Sequence, residues 1–137
     1  MKNLDPVAAQ HYLAKSAHFF QAMQLTGDDL GAYGTSVALL AVHSSISLND
    51  AILVAVTGRK RSAQDHMVAA NELERTCDQL RVKDKRGVQH LRWLLSQKTD
   101  VAYGTKRLDR DRIVAAKDKA EKSFSWAYNC FGEILHA

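Results

Sequence analysis

Leu108-Asp-Arg-Asp-Arg-Ile113-Val-Ala-Ala116-Lys-Asp-Lys-Ala120-Glu-Lys-Ser-Phe124-Ser-Trp-Ala127-Tyr-Asn-Cys-Phe131-Gly-Glu-Ile134 is the stretch that decides the fold class. Ile113, Ala116, Ala120, Phe124, Ala127, Phe131 and Ile134 recur at intervals of three and four, which places them on one face of a helix along a bundle seam. A strand would need apolar residues at every second position. Asp109 stands at the N-cap position, and Leu108 with Ile113 fits a hydrophobic staple around it. The spacing therefore predicts a long last helix starting at Asp109.

Four more helical patterns precede it. The first is expected over Pro6 to Leu25, with Asp5 as N-cap and proline at the first helical position. Leu13, Ala17 and Phe20 form its stripe, with Phe19 and Met23 alongside. The second runs from Leu30 to Thr57 and ends at Gly58. Its segment from Val37 to Val56 is mostly apolar, which suits burial between other helices. Yet it carries His43, Ser44, Ser45, Ser47, Asn49 and Asp50. A basic turn, Arg59-Lys-Arg61, leads to a third helix from Ser62, where Asp65 completes a shortened capping box. Its stripe is His66, Ala69, Leu73, Cys77 and Leu80. After a charged break, Arg81 to Gly87, a fourth helix places Val88, Leu91, Leu95, Lys98 and Ala102 at the same spacing. Lys98 thus falls on an apolar stripe, where a cation needs a reason.

Five helical runs with short links predict an all-α, up-and-down antiparallel bundle of four to five helices in one domain spanning all 137 residues. Strict alternation would set the turn after the second helix and the turn before the fifth at one end. That end would gather Arg59, Lys60, Arg61, His66, Lys98, Tyr103, Lys106 and Arg107. A net charge of +4 is mildly basic, compatible with a polyanionic partner without requiring one. The start, Met-Lys-Asn-Leu-Asp-Pro, has no apolar signal core, and no run approaches the ~20 apolar residues of a membrane span. A cytoplasmic domain away from membranes is expected. Cys77 and Cys130 lie within helical patterns and read as buried reduced thiols. No metal motif, phosphate loop or cofactor fingerprint occurs, so no metal and no cofactor is expected.

Three features taken in order resemble the HEPN family (higher eukaryotes and prokaryotes nucleotide-binding). They are Leu39-Leu-Ala-Val-His43 through Asn49-Asp50, the Gly58-Arg-Lys-Arg-Ser turn leading to Asp65-His66, and Leu94-Leu95-x-x-Lys98 to Tyr103-Gly104 before the last helix. The resemblance covers essentially the whole chain. It implies a helical bundle pairing as a homodimer, and often a metal-independent ribonuclease of a toxin–antitoxin or other defence system. In such members an arginine and a histidine face the partner's copy across a cleft. Lys98 stands here at the arginine position, Tyr103 at the histidine position, and Asp50 is the candidate acid of the second helix. Members without the motif are thought to bind rather than cut.

The substitutions change the chemistry. Lysine keeps the charge but loses the planar fork that grips a phosphate through two bonds. Tyrosine, with an ordinary pKa near ~10, is a poor base at neutral pH, where a histidine would serve. A bland alternative pairs Lys98 with Asp50 inside the bundle. His43 and Asp50, seven apart, share a helix face and suit a polar network that fixes register. Arg61-Ser-Ala-Gln-Asp-His66 also repeats the spacing of arginine, four residues, histidine. The leading expectation is a binding module with a degenerate ribonuclease motif, engaging RNA, a nucleotide or a protein partner such as an antitoxin. Its basic residues would be Arg59, Lys60, Arg61, Lys98, Lys106 and Arg107. One alternative is a ribonuclease toxin using Arg61, His66 and Lys98; another is a protein-interaction scaffold without a nucleic-acid role. Trp93 and Trp126 fall beside the seams and suit half-burial or a dimer contact. Lys117, Lys119 and Lys122, alternating with acids, read as a solvated face.

Overall fold

Asp29 sets where the central helix begins. Its carboxylate accepts the backbone N–H of Ala32 at 3.1 Å, the N-cap bond that satisfies one of four donors left open at a helix start. From there α2 runs Leu30–Thr57 and stops at Gly58, whose φ of 72° is the left-handed conformation that glycine adopts without strain. The other helices of this computed structural model are α1 (Pro6–Thr26), α3 (His66–Gln79), α4 (Arg86–Tyr103) and α5 (Arg110–Leu135). The structure describes residues 6–58, 66–104 and 108–135, and all secondary structure among them is helical. The expected caps Asp5, Ser62 and Asp65 lie outside those residues.

The remaining boundaries follow local chemistry. Asp109 caps α5 by accepting the Arg112 N–H at 2.8 Å, and Leu108 and Ile113 are both buried, as a staple requires. The end of α3 is closed by a Schellman motif: Val82 N–H donates to Cys77 C=O at 2.8 Å and Arg81 N–H to Asp78 C=O at 3.2 Å. Arg81, at φ 59°, takes the left-handed position usually held by glycine. Asp84 opens α4 by accepting the Arg86 backbone N–H at 3.1 Å and the Arg86 side chain. That pairing brings the Asp84 carboxyl down to about 2.

The directions of the helices depart from strict alternation. A Cβ added at Gly34, near the start of α2, would lie 2.7 Å from Ile113 Cδ1, near the start of α5. Further along, Asn49 shares a cavity with Ser123. α2 and α5 are therefore parallel neighbours. α1 opposes α5, since Gln10 near its start donates to the Leu135 carbonyl at 3.0 Å. α4 opposes both α2 and α5: Gly87 packs on Trp126, while Arg112 bonds Asp100 at 3.0 Å. α3 opposes α4: Lys85 at the start of α4 pairs with Asp78 near the end of α3, while Arg92, two turns on, bonds Asn71 and Glu74 at 2.8 and 2.6 Å. α2 and α3 consequently point the same way. The bundle expectation holds, but alternation breaks between the second and third helices.

α2 packs against each of the other four helices. That explains why it is apolar nearly all round. By length and composition it is long and apolar enough to cross a membrane, contrary to the expectation from the sequence, yet 78% of its most apolar window is buried in the bundle. Its two halves support different cores. Toward its C-terminus, Leu48 and Ile52 meet Leu73, Leu91, Phe124 and Phe131. Toward its N-terminus, Val37, Ala38 and Ala41 meet Met23, Leu94, Ile113 and Ala116.

Candidate functional site

The described residue before the basic turn, Gly58, lies at one end of the bundle; α4 ends at Tyr103 at the other, beside the start of α5. The expected gathering of Arg59, Lys60 and Arg61 with Lys98, Tyr103, Lys106 and Arg107 rested on strict alternation, which the described helices do not follow. Arg59, Lys60, Arg61, Lys106 and Arg107 themselves lie outside the described residues. His66 is the first residue of α3 and is half-buried. No hydrogen bond among the described residues joins it to Lys98 or Tyr103. Tyr103 is 79% exposed, so it stands clear of any enclosed chemistry.

Lys98 is brought instead to His43. Antiparallel packing sets the last turns of α4 beside the middle of α2, and both side chains are half-buried. The imidazole of His43 lies 5.7 Å from the ring of Phe19 on α1. Lys15, one turn earlier on α1, holds its ammonium 6.0 Å from the same ring, within reach of a cation–π contact. Burial pushes the His43 pKa below its ordinary 6.5, and the positive charges of Lys98 and Lys15 push it the same way. Asp50 is two turns further along α2, about 10 Å by helical rise. No ion pair among the described residues joins Lys98 to Asp50, and the charge of Lys98 acts on His43.

Three helices thus bring one imidazole, two lysines and one phenyl ring into one neighbourhood on α2. The imidazole is neutral at pH 7, with one nitrogen able to donate and one to accept. Both lysines oppose protonation of His43, an opposition that a bound anion would relieve. A metal cation would meet the same repulsion, and no cluster of three or more His, Cys, Asp or Glu suited to a metal occurs among the described residues. Sequence reasoning found His43 and Lys98 but missed Lys15 and Phe19. Their signal was available: positions 15 and 19 are one turn apart on the face of the first helix beside its apolar stripe.

Two other expectations change. Trp126 is buried, donating its indole N–H to the Asp84 carbonyl at 2.7 Å, because Gly87 leaves room for its ring. It offers nothing to a dimer contact. Cys77 is buried and its thiol is pushed up to about 11, chiefly by burial, whereas Cys130 is only half-buried. Around them α5 behaves as expected of a solvated face: Lys117 pairs with Glu121 at 3.2 Å and Lys122 with Asp118 at 2.9 Å. Lys119 lies over the Trp93 ring at 5.1 Å. Comparison of the chain with protein-family models, with curated proteins and with solved structures gave no match.

Proposed function

We propose that the protein is an RNA-binding helical module, HEPN-like in organisation and acting as a homodimer, that engages phosphates without cutting them. The observation that carries it is the neighbourhood of Lys98, Lys15 and Phe19 around His43, which we read as one binding cleft. Two lysines supply charge without a bidentate fork, so they attract a phosphate wherever it falls along a strand rather than fixing one for chemistry. Phe19 supplies a ring face of the kind on which unpaired bases stack. His43 donates a hydrogen bond to the bound phosphate and takes up a proton as the anion offsets the neighbouring charges. Tyr103, exposed at the end of α4, is a poor acid–base partner for strand cleavage at neutral pH.

The test is fluorescence anisotropy of a labelled single-stranded RNA with the intact protein and its Lys98→Ala and Lys15→Ala variants, across salt concentrations. Binding should be salt-dependent, and each variant should flatten the slope by roughly 0.7. No binding, or binding indifferent to both lysines, refutes the cleft. The same RNA incubated with metal-free protein should stay intact. Cleavage abolished by His66→Ala would install the ribonuclease alternative instead. Light scattering should show a dimer at micromolar concentration.

A further inference from the structure

Three polar side chains in the interior face a ligand that no other side chain supplies. Ser45 and Asn49 lie one turn apart on the inner face of α2, and Ser123 stands across from them on α5. They are 3%, 4% and 5% exposed. Ser45 Oγ, Asn49 Oδ1 and Ser123 Oγ are all buried without a hydrogen-bond partner among the described residues. Buried polar atoms are rarely left so, because each has lost its bonds to solvent. Nor are the serines of this bundle generally in that position. Ser44, the next residue, donates to the Ala41 carbonyl at 3.1 Å, and Ser16 to the Leu13 carbonyl at 2.7 Å.

All three residues line one cavity of about 10 Å³, roofed by Leu73, Leu91 and Trp126. A water needs roughly 10–15 Å³ of such space and two to four polar partners. The cavity is too small for an organic ligand. Its three oxygens are neutral, so they lack the charge and the number of ligands that a metal ion would need. One water can meet all three groups: it donates a hydrogen to Asn49 Oδ1, and its two lone pairs accept the Ser45 and Ser123 O–H groups.

We infer that this cavity holds one structural water, shared by Ser45, Asn49 and Ser123, that ties α2 to α5 in their parallel register. Apolar packing alone sets helix register loosely, since sliding one stripe along another changes little contact. A three-way polar bridge loses all its bonds on a one-turn slip.

Magnetic relaxation dispersion of water nuclei on the full chain counts the waters held long enough to tumble with the protein. Asn49→Leu, close in volume and apolar, should lower that count by one relative to the parent. Equal counts in two folded proteins would overturn the inference. Should Asn49→Leu fail to fold, the Ser45→Ala, Ser123→Ala double variant is compared in the same way. A high-resolution crystal structure of the parent decides independently. It should show a water within ~2.7–3.2 Å of all three oxygens. Serine hydroxyls turned onto the carbonyls of their own helices, with no water between them, would overturn it.

Discussion

α2 carries polar groups on two opposite faces, and the two faces are built for different ends. Around Ser45 and Asn49 it is covered by three other helices, and Ser45, Asn49 and Ser123 are at most 5% exposed beside Trp126. Around His43 it is half open between α1 and α4, and the neighbours there are lysines. The two residues 43 and 45 differ by about 200° around the helix, at ~100° per residue. Polar groups on a core helix are thus not one class. Those that face inward are small and neutral and constrain packing. Those that face the cleft are titratable, and like charges converge on them where structure alone would have favoured an acid.

The sealed face should respond to volume. A Cβ added at Gly87 would run into the Trp126 ring, which its bond to Asp84 holds in place. Gly87→Ala should destabilise by about 1–3 kcal/mol through overpacking, read as a lower midpoint in urea. Gly34→Ala meets only the tip of the Ile113 side chain, which can turn away, and should cost clearly less. Equal losses would mean that Trp126 is not fixed.

The open face should respond to charge. Lys98→Ala should leave stability within ~0.5 kcal/mol, as surface changes do, while weakening RNA binding. A large loss of stability would show that Lys98 holds a buried acid after all. The smallest effect expected is on pH dependence. His43 and His90 both have pKa values held below 6.5, chiefly by burial with lysines adding. The unfolded chain then takes up protons that the folded one refuses. Their contribution to stability is full above pH 6.5 and is lost as pH falls below it. His43→Gln should flatten the decline in melting temperature between pH 7 and 5.

Much of this fold is legible in the chain because caps and stripes are local. Asp29, Gly58 and Asp109 set their boundaries within one turn, and the expected stripe of α5 is buried from Ile113 to Phe131, while Ile134 is exposed and Leu135 takes its place. Direction is not local. An apolar stripe packs equally well on a parallel or an antiparallel neighbour, so nothing in the spacing of residues 113 to 134 says that α5 runs alongside α2. The site expectation rested on the same assumption of alternation, whereas α2 and α4 end at opposite ends of the bundle. Lys98 was conspicuous because a cation broke an apolar stripe, and His43 because it interrupted an apolar helix. Their meeting depends on the antiparallel register of α2 and α4. Trp126 was misplaced for a related reason, since its burial depends on a glycine on another helix.

The most direct test of the cleft is the titration of the His43 imidazole followed by NMR, in the free protein and with saturating single-stranded RNA. In the free protein its pKa should lie below 6.5, and Lys98→Ala should raise it. RNA should raise it too, so that affinity strengthens as pH falls while stability weakens. A His43 that titrates identically with and without bound RNA would contradict the assignment of this cleft as the phosphate site.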